Sequence, residues 1–184
     1  MKKTGKTLTL SGQMPKRDFG AQLYRDPHTI LEYANVLDIN KAWKVKDFRV
    51  WIMESNFGQT ADAYFTVDTQ LSTDDIPNLG DWNNAGDNRA IGWGTLAYNC
   101  NAMTSKPQSA AGFPRSLDNS EYFMHPDHLI QNKLTISAHA FGDQSTLEQK
   151  QYTLNYIVYL EEYDITPTES IIFNIKGKAQ DLSS

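Results

Sequence analysis

The clearest pattern in the chain is an alternation near its C-terminal end. Tyr152, Leu154, Tyr156, Val158 and Leu160 recur at every second position against Thr153, Asn155, Ile157, Tyr159 and Glu161. A period of two puts one set on a buried face of a strand and the other on the opposite face. Because the opposite set also carries Ile157 and Tyr159, burial on both sides is expected, by a second sheet on one side and a helix or another subunit on the other. Leu134, Ile136 and Ala138 alternate with Thr135, Ser137 and His139 until Gly142 and Asp143 end the run. That pattern predicts an antiparallel partner for the last strand, joined through a loop near residue 146.

Earlier strands are expected over 42–54, 62–71 and 90–98. In the first, Trp43 and Val45 share one parity and Val50 and Ile52 the other, so a bulge or break is expected around Asp47 and Phe48. Gly92 and Gly94 flank Trp93, where small residues admit a close approach by another element. The stretches 74–89 and 99–121 are broken by Pro77, Gly80, Pro107 and Pro114 and read as long loops suited to contact or binding. Asp26 to Tyr33 suggests one helical turn.

Beyond the last strand the period changes. Thr166, Pro167 and Glu169 supply an N-cap, a proline at the first helical position and the acid that closes a capping box. Ile171, Ile172, Ile175, Ala179 and Leu182 follow at helical spacing, predicting an amphipathic helix over 167–181 that covers a sheet edge or docks on a neighbour. No repeat or linker interrupts the chain. The whole reads as an all-β, antiparallel β-sandwich of seven or eight strands with a short C-terminal helix, one domain over 21–184, behind a basic arm of residues 1–20 whose alternation from Thr7 to Leu10 suits adding a strand or lying along a sheet.

Composition agrees with strands. Thr, Asn, Tyr, Ile and Asp are frequent, and 40% hydrophobic with 21% charged residues excludes a wholly disordered chain. A chain of 184 residues buries enough core to fold without metals or disulfides, and Cys100 alone permits no internal disulfide. No run of 18 apolar residues occurs, so no membrane-spanning helix is expected; the opening MKKTGKTLTLSG lacks the apolar region of a secretory signal.

Charge is unevenly placed. Residues 1–50 hold ten Lys or Arg and five Asp or Glu, whereas 51–184 hold seven and seventeen. Within the first seventeen residues Lys2, Lys3, Lys6, Lys16 and Arg17 meet no acid. Such an arm suits phosphates or the acidic surface of a neighbouring subunit.

Catalytic chemistry is poorly represented. His125 and His128, with His139 as a third ligand, form a weak metal pattern, and capping or packing at a strand entrance explains them better. Asp74, Asp75, Asp81 and Asp87 could offer oxygens to calcium, but their spacing is not that of an EF-hand and turn capping is the simpler reading. Nucleotide-binding glycine motifs and a GxSxG elbow are absent, and Glu161 and Glu162 point to opposite faces of a strand. Neither a catalytic residue nor a cofactor or metal is therefore expected, and the chain reads as non-enzymatic. Trp51, Trp82, Trp93, Tyr98 and Tyr122 are candidate contact residues, with Trp82, in the acidic loop, the best placed for exposure.

Taken together, the basic Met1–Arg17 segment, the strand-bearing body from Ala42 to Leu160 and the long loops resemble viral single jelly-roll capsid proteins. The stretch YIVYLEEYDI at 156–165, followed by the capped helix, also looks like a tail of small virion proteins. The resemblance implies a two-sheet jelly roll that packs against copies of itself in the shell of a virion. Trp82, Ile171, Ile172 and Ile175 would lie in subunit contacts, and the basic arm would meet packaged nucleic acid or a neighbour. The alternative is a monomeric carbohydrate-binding β-sandwich module with Trp82 at an exposed platform.

Overall fold

The strict alternation at the C-terminal end becomes the centre of a sheet. In a computed structural model, which describes residues 1–18, 27–32, 40–55, 64–74, 86–99, 115–116, 121–142 and 151–178, ten strands and one helix are seen among the described residues. They are β1 (Lys2–Gln13), β2 (Arg17–Asp18), β3 (His28–Glu32), β4 (Lys41–Ser55), β5 (Tyr64–Ser72), β6 (Ala90–Asn99), β7 (Arg115–Ser116), β8 (Glu121–Met124), β9 (Lys133–Gly142) and β10 (Gln151–Asp164). The helix is α1 (Pro167–Lys178).

These strands form two antiparallel sheets. In the first, β10 is central, with β4 on one edge and β1 followed by β2 along the other. The second runs β3-β9-β5-β6, and β7 and β8 share the outer edge of β6. Each face that alternation marks as apolar turns inward. Val45, Phe48, Val50, Ile52, Leu154, Val158 and Leu160 from the first sheet meet Val67, Leu71, Leu96, Leu134, Ile136 and Ala138 from the second. Phe48 is wholly buried at the centre of this layer, where truncation to alanine would cost about 3–5 kcal/mol.

The phase change in β4 is a bulge. Tyr159 pairs with Asp47 and Leu160 with Val45, so Lys46 is the extra residue and both Val45 and Phe48 still face the core. It also fixes which backbone groups of β4 point away from β10, and these are handed to the second half of the chain. The Trp43 amide and carbonyl bond Ile130, and the Val45 amide donates to His128 Nε2 at 3.0 Å. Farther along, the Val50 amide and carbonyl meet the Tyr122 hydroxyl at 3.0 and 2.8 Å.

Two expectations need correction. β9 and β10 are not hairpin partners: β9 pairs with β3 and β5, β10 with β1 and β4, and the two strands oppose each other across the core. Both carry a full apolar face, and packing those faces together buries more than pairing the strands edge to edge. His28 to Glu32 is strand rather than helical turn, since Thr29 and Ile30 are β-branched and the segment has β9 to pair with. The basic N-terminal segment adds a strand to the first sheet, one of the placements that its alternation from Thr7 to Leu10 allows. Lys2 to Gln13 pairs with β10, Leu8 and Leu10 pack against the core, and Met14 is buried within it.

At the end of the sandwich where β10 finishes, α1 folds back over a small second cluster of Ala42, Leu129 and Ile165, joined by Tyr163 and Phe173. No helix among the described residues is long and apolar enough to cross a membrane.

Candidate functional site

The helix begins as its sequence dictates. The Thr166 hydroxyl accepts from the Glu169 amide at 3.2 Å while Glu169 Oε2 accepts from the Thr166 amide at 2.8 Å, the reciprocal bonds of a capping box. One side of α1 is then fastened to the body. Phe173 packs on the second cluster, Gln131 donates to Ser170 Oγ at 2.7 Å, Asn88 donates to the Lys176 carbonyl at 3.3 Å, and Lys176 pairs with Asp127 at 3.5 Å.

The isoleucines lie on the other side. Ile171, Ile172 and Ile175 are 58%, 56% and 62% exposed, so the residues that gave the helix its apolar spacing are turned away from their own domain. A second exposed group lies on the outer face of the first sheet, where Trp51 is 44% and Tyr159 is 41% exposed. Ile157 stands half-buried between them in register, opposite Arg49, which pairs with Asp47 at 3.5 Å. Phe123 on β8 is also exposed.

The basic segment meets an acidic dock belonging to the same chain. Lys3 reaches Glu161 at 2.6 Å, and Lys6 and Lys41 approach the buried Glu162 at 3.5 and 3.9 Å. Thr4 donates to the same Glu162 carboxylate at 2.9 Å, and the terminal amine of Met1 bonds Glu169 at 2.9 Å. The hydrogen bond with Glu161 raises the Lys3 pKa, and the same bond lowers that of Glu161. The terminal amine, followed by the Thr166 amide, likewise holds Glu169 below the usual glutamate value. Of the five cationic residues expected to meet nucleic acid or a neighbouring subunit, Lys3 and Lys6 pair with acids of their own chain while their side chains stay exposed. Lys2 and Lys16 are exposed, and the backbone of Arg17 pairs with Tyr152.

His128 is a framework residue. Its Nδ1 hydrogen is directed at the His125 carbonyl and its Nε2 accepts from Val45, which is the neutral tautomer with both nitrogens occupied. Burial pushes its pKa below the ordinary 6.5. His125 Nδ1 accepts from the Asp127 amide, completing a tight turn before Leu129. Asp87, one of the acidic-loop residues, is buried with both carboxylate oxygens on Arg89, at 3.0 and 2.9 Å. Asp74 is exposed, whereas Asp75, Asp81, Trp82 and Cys100 lie outside the described residues. Among the described residues no group of three His, Cys, Asp or Glu side chains converges as metal ligands would.

Sequence reasoning missed the role of Tyr122, whose ring also stands edge-on to Phe48 at 4.9 Å and beneath the Arg49 guanidinium at 4.7 Å. A signal was present in Gly94. A Cβ there would lie 2.6 Å from the Tyr122 ring, so the glycine leaves room for the tyrosine to cross β6 and reach β4. No protein-family model matches the chain, and no curated protein matches it in sequence.

Proposed function

We propose that this protein is a structural subunit that assembles with copies of itself, as a shell protein of a virion does. The observation that carries the reading is the outward isoleucine face of α1. A helix fastened on one side by Phe173, Ser170 and Lys176 while Ile171, Ile172 and Ile175 face water has the form of a docking element. Burying three such side chains repeatedly across a symmetric assembly would add weak contacts into a stable shell.

Strand order supports a jelly roll as the finer fold. Taking the eight strands of four or more residues among the described residues, the first pairs with the last (β1 and β10), the second with the seventh (β3 and β9) and the fourth with the fifth (β5 and β6). The third and sixth, β4 and β8, meet through Tyr122 and Val50. This nested order is what results when a long hairpin is rolled up into two sheets. Packaged nucleic acid is a secondary part of the proposal: within β1 and the turn after it, Lys2 and Lys16 are the lysines not held by Glu161 or Glu162.

Light scattering and negative-stain microscopy on nuclease-treated protein test the proposal. Closed particles or a discrete large oligomer are expected. A strict monomer at every concentration and salt would overturn it and turn attention to the carbohydrate-binding alternative, read by a glycan screen.

A further inference from the structure

Among the described residues, β1 is paired on one side only. Its alternate residues divide by direction: the Met14 amide donates to the Leu154 carbonyl at 2.8 Å, which places positions 8, 10, 12 and 14 in bonding pairs with β10. Thr7, Thr9, Ser11 and Gln13 therefore aim their amides and carbonyls away from β10. Among the described residues no strand pairs with that edge. The opposite edge of the same sheet is closed, because the outward groups at Trp43, Val45 and Val50 of β4 are taken by Ile130, His128 and Tyr122.

Open edges are normally guarded by charges, prolines or bulges. Here the guards stand only at the two ends. Lys2, Lys3, Lys6 and the bulge at Gly5, whose φ is +87°, lie at the start, and Pro15 and Lys16 follow the end. From Thr7 to Gln13 the edge has no charge and no proline, and it leaves Leu8 and Leu10 only partly covered.

We infer that this edge is a pairing surface for the β1 strand of a second copy, joined antiparallel across a two-fold axis through Leu10. The inference rests on the self-association proposed above and names one of its contacts. In that register Thr9 lies opposite Ser11 of the other copy and Thr7 opposite its Gln13, so every outward backbone group meets an outward group of the same set. Each such pair exchanges both of its hydrogen bonds. Leu10 meets its own equivalent in a non-bonded pair, where side chains approach most closely, and no charge is buried between Thr7 and Gln13. The self-complementarity is what selects a second copy as occupant: an isologous contact must satisfy one patch with itself.

The test is amide hydrogen exchange on the full chain, dilute and concentrated, with solution mass followed in parallel. The amides of Thr9 and Ser11 should exchange freely in the dilute protein and at least about tenfold more slowly once the mass doubles or rises further. Thr9→Pro removes an outward amide without touching the bonds to β10, which an edge strand tolerates. The pair Thr9→Lys with Ser11→Lys sets like charges opposite each other across the axis, and it decides the matter if the proline variant fails to fold. Both variants should lose the two-fold step, halving the mass at that stage. If the protein assembles while these amides stay unprotected and the variants keep the full mass, the edge pairing is wrong and self-association stands. A wild-type chain that is monomeric throughout overturns both.

Discussion

The hydroxyl of Tyr122 takes the place of one rung between two strands: it accepts from the Val50 amide and donates to the Val50 carbonyl. β8 belongs to the second sheet through β6, yet this single oxygen ties it to β4 in the first. Tyr122→Phe would keep the ring against Phe48 while leaving both Val50 groups without their partner. A loss of about 1–3 kcal/mol is expected, measured by urea unfolding with an unchanged slope. A variant as stable as the parent would mean that water replaces the hydroxyl at no cost.

His128 predicts a pH dependence of stability. Its pKa is lowered in the folded protein because burial disfavours the imidazolium, so the unfolded chain takes up the proton first. Stability from this residue is therefore full above about 6.5, the ordinary value, and declines as pH falls below it toward the folded value. The decline should be absent in His128→Gln, which should also be less stable than the parent at pH 8. Thermal unfolding of both proteins from pH 8 to pH 5 reads the difference.

A separate acid limb belongs to the N-terminal dock. Glu161 and Glu169 have lowered pKa values, the first through Lys3 and the second through the terminal amine. Their contribution is present above the ordinary glutamate value of 4.5 and is lost as pH falls through the folded values. Because both contacts lie at the protein surface, salt should weaken them. Protection of the amides of residues 2–6, taken relative to their intrinsic exchange rates, should fall at high salt or low pH by more than protection in β9 does.

Replacing Ile171 and Ile175 by serine should separate assembly from folding. Both side chains are exposed in the single chain, so unfolding should shift by no more than about 0.5 kcal/mol per site. Assembled mass should fall toward that of one chain. Equal mass in parent and variant would remove the helix face from the proposed contact.

The strands β4, β5, β6, β9 and β10 and the capped helix were legible in the sequence because their signals are local, whereas the sequence of His28–Glu32 suggests a helical turn and that of Arg115–Ser116 a loop. Alternation from Tyr152 to Leu160, the phase change before Phe48 and the Thr166–Glu169 box each specify structure within a few residues. Partner choice was not legible, because β9 and β10 carry equally good apolar faces and nothing local distinguishes pairing from opposition. His128 was readable as a packing residue, though its bond to Val45 was not. The charge of the first seventeen residues suggested an exposed arm; the acids that hold it, Glu161, Glu162 and Glu169, lie about 160 residues away along the chain.

β10 is the strand to which β1, β2 and β4 are all hydrogen-bonded, and it leaves the ribosome after all three of them. Among the described residues, β1 and β4 gain their ladder partner only once residue 151 has emerged, while β5 and β6 can already pair with each other. A growing chain therefore carries these edges uncovered until then, and one halted short of β10 would present β1 and β4 to any strand that came by.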